Sequence, residues 1–256
     1  MMKWARFLLP LVLLFGFAGC FDIDEEIDVK TNGSGEWKMN IDMSQLVDIM
    51  QTYMGKEELE KQLPQRKMDT TLHMKDLIDT VSGIPADKKA LLREGQVHVQ
   101  LNMDEKIFKT NTEFPFKNVS DLEKLRNVAG SNSFGAGKLL KGFGGDKSGG
   151  DSSQGPDLSM FGSIYEFRIT DGQISSKLNK PKWDSLQNNP QFAQIKAAGG
   201  SGIDVPYSMT IRLPRPVKKA DNPIIKLSED KKTVTIKYNL MDTFQQPEKF
   251  EYSISY

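Results

Sequence analysis

Stretch after stretch of this chain alternates apolar and polar residues with a period of two. Such a pattern puts successive side chains on opposite faces of a strand and leaves one face to be buried. Trp37, Met39, Ile41 and Met43 share one face, with Lys38, Asn40 and Asp42 on the other. Val97, Val99, Leu101 and Met103 oppose His98, Gln100 and Asn102, and after a turn at Asp104-Glu105 a second strand runs from Ile107 through Phe108, Thr110, Thr112 and Phe114 to Phe116. Tyr165, Phe167 and Ile169 precede Asp171-Gly172, and Ile174, Ser176 and Leu178 follow it; Asn32-Gly33 stands between Val29 and Trp37 in the same way. Asn-Gly and Asp-Gly between alternating runs are the strongest local hairpin signals, because both turn positions need positive φ. Tyr207 to Leu213, Val234 to Leu240 and Phe250 to Tyr256 alternate again. The chain therefore ends inside a strand pattern, and its C-terminus is expected to be paired.

Helical spacing is interleaved with these strands. Leu46, Ile49, Met50, Tyr53 and Met54 form a stripe behind Ser44, and Ser120-Asp121-Leu122-Glu123 reads as a capping box ahead of Leu122, Leu125, Val128 and Ala129. Pro85 opens a short helix through Leu92, and Asn189-Pro190 fits an N-cap with proline at the first helical position. The segment from Met68 to Gly95 reads both ways, alternating at its start and helical from Met74 to Val81. The fold class is α+β: antiparallel hairpins forming one or two sheets, with helices packed on one face. Nine of the chain's 21 glycines fall between Gly130 and Asp157, so 131–160 reads as a Gly/Ser-rich linker or loop. It separates an α+β unit at 27–130 from a β-rich unit at 161–256. The two segments fit either two similar units or one continuous sheet.

The first thirty residues place the protein. Lys3 and Arg6 precede an apolar run from Phe7 to Phe17, followed by Ala18, Gly19 and Cys20. A basic start, a short apolar core and small residues make a secretory signal, here 1–19. The apolar run holds eleven residues and contains Pro10, whereas a membrane-spanning helix needs about 20. Ala18-Gly19-Cys20 resembles the end of a lipobox, with Phe17 where leucine usually stands. Cys20 is the chain's single cysteine, so no intramolecular disulfide can form, and acylation would remove a lone thiol. One acyl chain, palmitate for example, holds a protein only marginally; two or three hold it stably. Residues 20–26 then read as a lipidated acidic tether. Its Asp22, Asp24, Glu25 and Glu26 are either a solvated spacer, since like charges extend a chain, or a sorting signal of the kind that directs some lipoproteins to the cell surface.

Charge and motif exclude several functions. With residues 1–19 go Lys3 and Arg6, leaving 32 basic against 34 acidic residues, a net charge of −2. That is no nucleic-acid binder, which would carry a basic face. His73 and His98 have no metal-ligand partners at the required spacing, no HExxH or GxSxG occurs, and Gly142 to Ser148 lacks phosphate-loop spacing. His98 falls on the polar face of its strand. The Met39, Met43, Met50, Met54 stripe reads as core filling. No catalytic residue, metal site or cofactor is expected.

The signal and its acidic successor, Asn32-Gly33-Ser34-Gly35 before Trp37, Asp69-Thr70-Thr71, Asn102-Met103-Asp104 and Phe114-Pro115-Phe116 together resemble a family of uncharacterised Bacteroidetes lipoproteins. Asp69-Thr70-Thr71, Asp79-Thr80-Val81 and Asp184-Ser185-Leu186 are similar to O-glycosylation sites of exported proteins of that lineage. The resemblance implies location and no catalytic residues. The expectation is a lipid-anchored envelope module, at the outer membrane on its periplasmic or surface side. Its partners are the membrane, through the lipid on Cys20, and an envelope protein or lipid ligand bound through the sheet. The alternatives are an anchored hydrolase acting on envelope glycan or lipid, and a purely structural spacer.

Overall fold

A computed structural model describes residues 22–54, 66–79, 85–129, 164–189, 192–193, 196 and 204–256. In chain order the strands that matter here are β1 (Asp22–Val29), β2 (Gly35–Asp42), β3 (Lys67–His73), β4 (Gln96–Asn102), β5 (Ile107–Phe116), β6 (Tyr165–Thr170), β7 (Gln173–Leu178), β8 (Pro206–Arg212), β9 (Lys219–Ala220), β10 (Ile225–Leu227), β11 (Thr233–Asn239) and β12 (Tyr252–Ser255). The helices are α1 (Ser44–Met54), α2 (Met74–Leu77), α3 (Ala86–Leu92), α4 (Val119–Ala129) and α5 (Lys180–Gln187). None of the described helices is long and apolar enough to cross a membrane.

The strands form two sheets, an eight-stranded one in the order β10-β11-β8-β1-β2-β5-β4-β3 and a four-stranded one in the order β6-β7-β12-β9. The class is α+β, as the periodicities imply. The segments 27–130 and 161–256 are not separate sheets: β8 and β11 complete the sheet begun by β1 and β2. The joint is parallel, with Ile23 opposite Tyr207 and Ile27 opposite Ile211. The hairpin turns are where the sequence places them. Asp171-Gly172 is a two-residue turn between Thr170 and Gln173, with Gly172 at φ +106. Gly33, at φ +80, lies in a five-residue loop between Val29 and Gly35.

The tether expected over 20–26 is corrected from Asp22 onward. Asp22 to Val29 is a strand in the middle of the large sheet, hydrogen-bonded to β2 on one side and β8 on the other. Its alternation explains this: Ile23, Glu25, Ile27 and Val29 face one way, and Ile27 and Val29 are buried. An unpaired strand with that inward face would leave apolar surface in water. Cys20 and the Gly/Ser-rich 131–160 lie outside the described residues.

The inner face of the large sheet, with Trp37, Phe114, Met209, Ile211 and Val234, shares one core with Val47 of α1, Met74 of α2, Leu92 of α3, and Leu122, Leu125 and Val128 of α4. The small sheet adds Phe167, Ile174, Tyr252 and Ile254 to the same core. A second cluster, with Ile164, Trp183, Val205, Leu240 and Phe244, packs near the start of β1 against Ile23, Tyr207 and Tyr238. The capping box differs from expectation. α4 is capped by Asn118, whose Oδ1 accepts from the Asp121 amide at 3.1 Å, and the Glu123 carboxylate instead accepts from the Ile169 amide at 3.3 Å. Ser44 Oγ accepts from the Phe108 amide at 3.1 Å and so ties the start of α1 to β5. Phe250 lies in a short 3-10 helix, Pro247–Phe250, and only then does β12 begin. The C-terminus is paired as expected, with the Tyr256 amide on the Gly172 carbonyl at 2.9 Å.

One charged residue occupies the inner face of the large sheet. Glu25 is 2% exposed. Arg126 of α4 clasps it with two bonds, Nε to Oε1 at 2.5 Å and a terminal nitrogen to Oε2 at 2.8 Å. Trp37 Nε1 donates to Oε1 at 2.7 Å, and the Tyr207 hydroxyl donates to Oε2. The guanidinium lies 3.9 Å above the Phe167 ring and so ties the two sheets together. Burial alone would lower the Arg126 pKa; the charge of Glu25 more than offsets this and holds it above its usual value. Burial first, and then Glu25, pushes the Tyr207 hydroxyl well above 10.0, and burial does the same to Tyr238 beside it.

These tyrosines set a pH limit. Their protons stay on in the fold, whereas the unfolded chain begins to ionise near the ordinary value of 10.0. The folded pKa is raised, so the stability it contributes is complete below 10 and falls as pH climbs above it. Alkaline titration is expected to give one cooperative loss of circular dichroism above about pH 10, coincident with the rise in tyrosinate absorbance. Ionisation of Tyr207 or Tyr238 in an intact fold would contradict their burial.

Candidate functional site

The outer face of the large sheet collects the other half of every alternation. Register places these polar side chains in rows across the strands. The central row runs Asp24, Asn40, Asn111, His98, Thr71 over β1, β2, β5, β4 and β3. On one side of it lie Glu26, Lys38, Glu113 and Gln96; on the other, Asp22, Asp42, Lys109, Gln100 and Asp69. Side chains in neighbouring strands stand roughly 5 Å apart. The strands enclose a groove of about 550 Å³ lined by the central row together with Asp42, Gln96, Gln100, Lys109 and Glu113.

The flanking rows are largely satisfied internally. Lys38 bridges Glu36 at 3.0 Å and Glu113 at 3.4 Å, and Gln96 donates to Glu113 at 2.8 Å. Lys109 pairs with Asp42 at 2.9 Å. Burial alone would raise Asp42, but its bonds to Ser44 and Lys109 bring it below the usual carboxylate value. Asp22, directly opposite Asp42, is raised, first by burial and then by the charges of Asp42 and Asp24. The central row is different. Asn40 Oδ1 is shut off from solvent and has no hydrogen-bond partner. A buried amide oxygen without a donor costs about 1–3 kcal/mol, which a bound donor would recover. Neither Asp24 nor Asn111 makes a side-chain hydrogen bond among the described residues. The groove thus offers acceptors, two amides and a carboxylate, in a line across three strands.

The acidic residues singled out in the sequence do not act as one group. Asp22 and Asp24 face the groove side, Glu26 pairs with Arg212 at 2.7 Å on that same outer face, and Glu25 points into the core. His98 is exposed, as its strand phase implies. It contacts Asp69 through Nε2 at 2.9 Å and Thr71 through Nδ1 at 3.3 Å. Hydroxyl, imidazole and carboxylate in a chain resemble a hydrolytic triad, but Asp69 is 65% exposed and His98 46%. A catalytic carboxylate is buried so that it holds the imidazole in one orientation; here the three groups form a solvated cross-strand ladder. No cluster of three or more metal-ligating side chains occurs among the described residues. Thr70, the middle residue of the first glycosylation-like triplet, is half-buried in the inward phase of β3, and Ser185 is exposed on α5.

The open groove was not read from the sequence. Its signal was there in the outer phase of the strands, where Asn40, Asn111, Gln96 and Gln100 supply amides in place of the Lys and Glu usual on a solvated face. The sequence matches no protein-family model. No curated protein matches it either. A solved structure, the folded domain of the LppM protein of Mycobacterium tuberculosis, aligns over 94% of this chain and 93% of that one, at 6% identity and a TM-score of 0.35. A score that low leaves the reading of this chain to its own residues.

Proposed function

We propose that this chain is a lipid-anchored envelope protein that binds, without catalysis, a donor-rich polar ligand in the groove on the open face of its large sheet. The observation that carries the binding reading is Asn40, whose amide oxygen is buried in the groove wall and unbonded, with the exposed Asp24 and Asn111 opposite it on the neighbouring strands. Ligand hydroxyl or ammonium groups would satisfy all three. A polyhydroxylated or amine-bearing envelope molecule fits this chemistry; an apolar lipid tail does not. The anchor reading is supported by Lys3, Arg6, the apolar run to Phe17 and Cys20 at its end. The outer membrane is the proposed location. A sorting role for Asp22, Asp24, Glu25 and Glu26 belongs, on this reading, to the chain before folding, because Glu25 is buried once β1 is paired.

Soluble amino sugars, neutral oligosaccharides and polyamines titrated into the folded protein are expected to shift the side-chain amide resonances of Asn40 and Asn111. Asn40→Leu and Asn111→Leu should each weaken that binding about tenfold or more, the range for deleting one hydrogen bond to a ligand. Asn111 is exposed, so its replacement should leave thermal stability little changed, whereas Asn40→Leu should raise it by removing the unbonded buried oxygen. If no probe moves these resonances, the groove is not a binding site for this chemistry.

A further inference from the structure

We propose that the domain has no tether and that acylated Cys20 seats it directly on the bilayer, by the rim of the large sheet at which β1 begins. The inference rests on the lipidation reading above. It starts from a distance. Asp22, the first residue of β1, follows Cys20 by two positions, and extended chain covers at most about 3.6 Å per residue. The acylated residue therefore stays within roughly 7 Å of the strand.

That strand cannot yield more chain. β1 is central, paired from Asp22 with Asp42 of β2 and from Ile23 with Tyr207 of β8. Lengthening the link would break both ladders and expose the Glu25 cluster. The rim that must face the headgroups follows from the register. It holds the start of β1, the end of β2 and the turn between β4 and β5, which contains the exposed Glu105. The β1–β2 hairpin tip, with exposed Thr31, lies beyond Val29 at the far end of the sheet, about 23 Å away along seven residues of strand.

Nothing else on the described rim would draw it to a membrane. Arg66 pairs with Asp104 at 2.5 Å, Lys106 pairs with Asp48 and Lys109 with Asp42, so it is no polybasic patch. The one large apolar side chain exposed among the described residues, Leu227, belongs to β10. The seating is set by the covalent link alone. It also places the central row of the groove only about two strand residues, or 7 Å, from the headgroup level.

The test uses the full chain, processed in its membrane and moved into phosphatidylcholine vesicles that contain a headgroup-labelled quencher lipid. An acylated Cys20 leaves an introduced cysteine as the single thiol for a fluorophore. A label on Glu105→Cys is expected to be quenched several-fold more than one on Thr31→Cys. Insertion of about 20 Gly/Ser residues between Phe21 and Asp22, a flexible coil, should erase the difference without changing the melting temperature. Equal quenching of the two labels in the uninserted chain, with an acyl mass on Cys20, overturns the direct seating alone. An unmodified Cys20 overturns the anchor reading and the seating with it.

Discussion

Glu25→Ala is expected to lower the unfolding free energy by about 3–5 kcal/mol, the usual result of breaking a buried ion pair from one side. It would strand the Arg126 guanidinium and leave Trp37 Nε1 and the Tyr207 hydroxyl without their acceptor. A domain of ordinary stability, about 5–15 kcal/mol, would lose a large share of it. Arg126→Ala should cost a similar amount, because Glu25 would then be an unpaired buried charge. The double replacement Glu25→Met with Arg126→Met should be less destabilised than either single change, since apolar side chains of similar volume often replace a buried pair at little cost. Urea melts of the three variants decide this. Single losses below about 1 kcal/mol, the range of an exposed pair, would place the cluster at the surface rather than in the core.

Cys20→Ser should move the protein from the membrane fraction to the aqueous phase altogether. Transfer of each acyl CH₂ into the bilayer is worth about 0.8 kcal/mol, and a chain holding two or three such tails does not dissociate on the time scale of a fractionation. The described residues offer neither a spanning helix nor a broad apolar surface to compensate. Detergent phase partitioning and intact mass report the change directly. A variant that still partitions with detergent would show that some other part of the chain holds the membrane, and the anchor reading would fail.

Much of the fold is written in local sequence. The β4–β5 hairpin follows from Val97 to Phe116 read with period two, and Asp171-Gly172 marks the β6–β7 turn, where Gly172 takes φ +106. What depends on distant partners is not written locally. The β1–β8 ladder joins residues more than 180 positions apart and has no turn signal to announce it. The α4 cap moved to Asn118 because that side chain precedes the helix and bonds the Asp121 amide, freeing Glu123 for β6. The acidic run misled for a physical reason. Asp22, Asp24, Glu25 and Glu26 look alike in composition, yet Glu25 alone falls in the inward phase with Ile23, Ile27 and Val29. Its partner was also marked: Arg126 stands four residues after Leu122 in the apolar stripe of α4. An inward carboxylate and an inward guanidinium in one chain are a sequence-level hint of a buried pair.

The groove, the buried pair and the seating on the membrane all require that residues 22–29 be a fully paired central strand. Hydrogen exchange of the mature, membrane-bound protein measures this at each amide. The amides from Ile23 to Val29 are expected to exchange as slowly as those of β2 and β8, by global unfolding only. Exchange of this stretch within seconds, while β2 remains protected, would show a solvated tether in place of the strand and contradict the account.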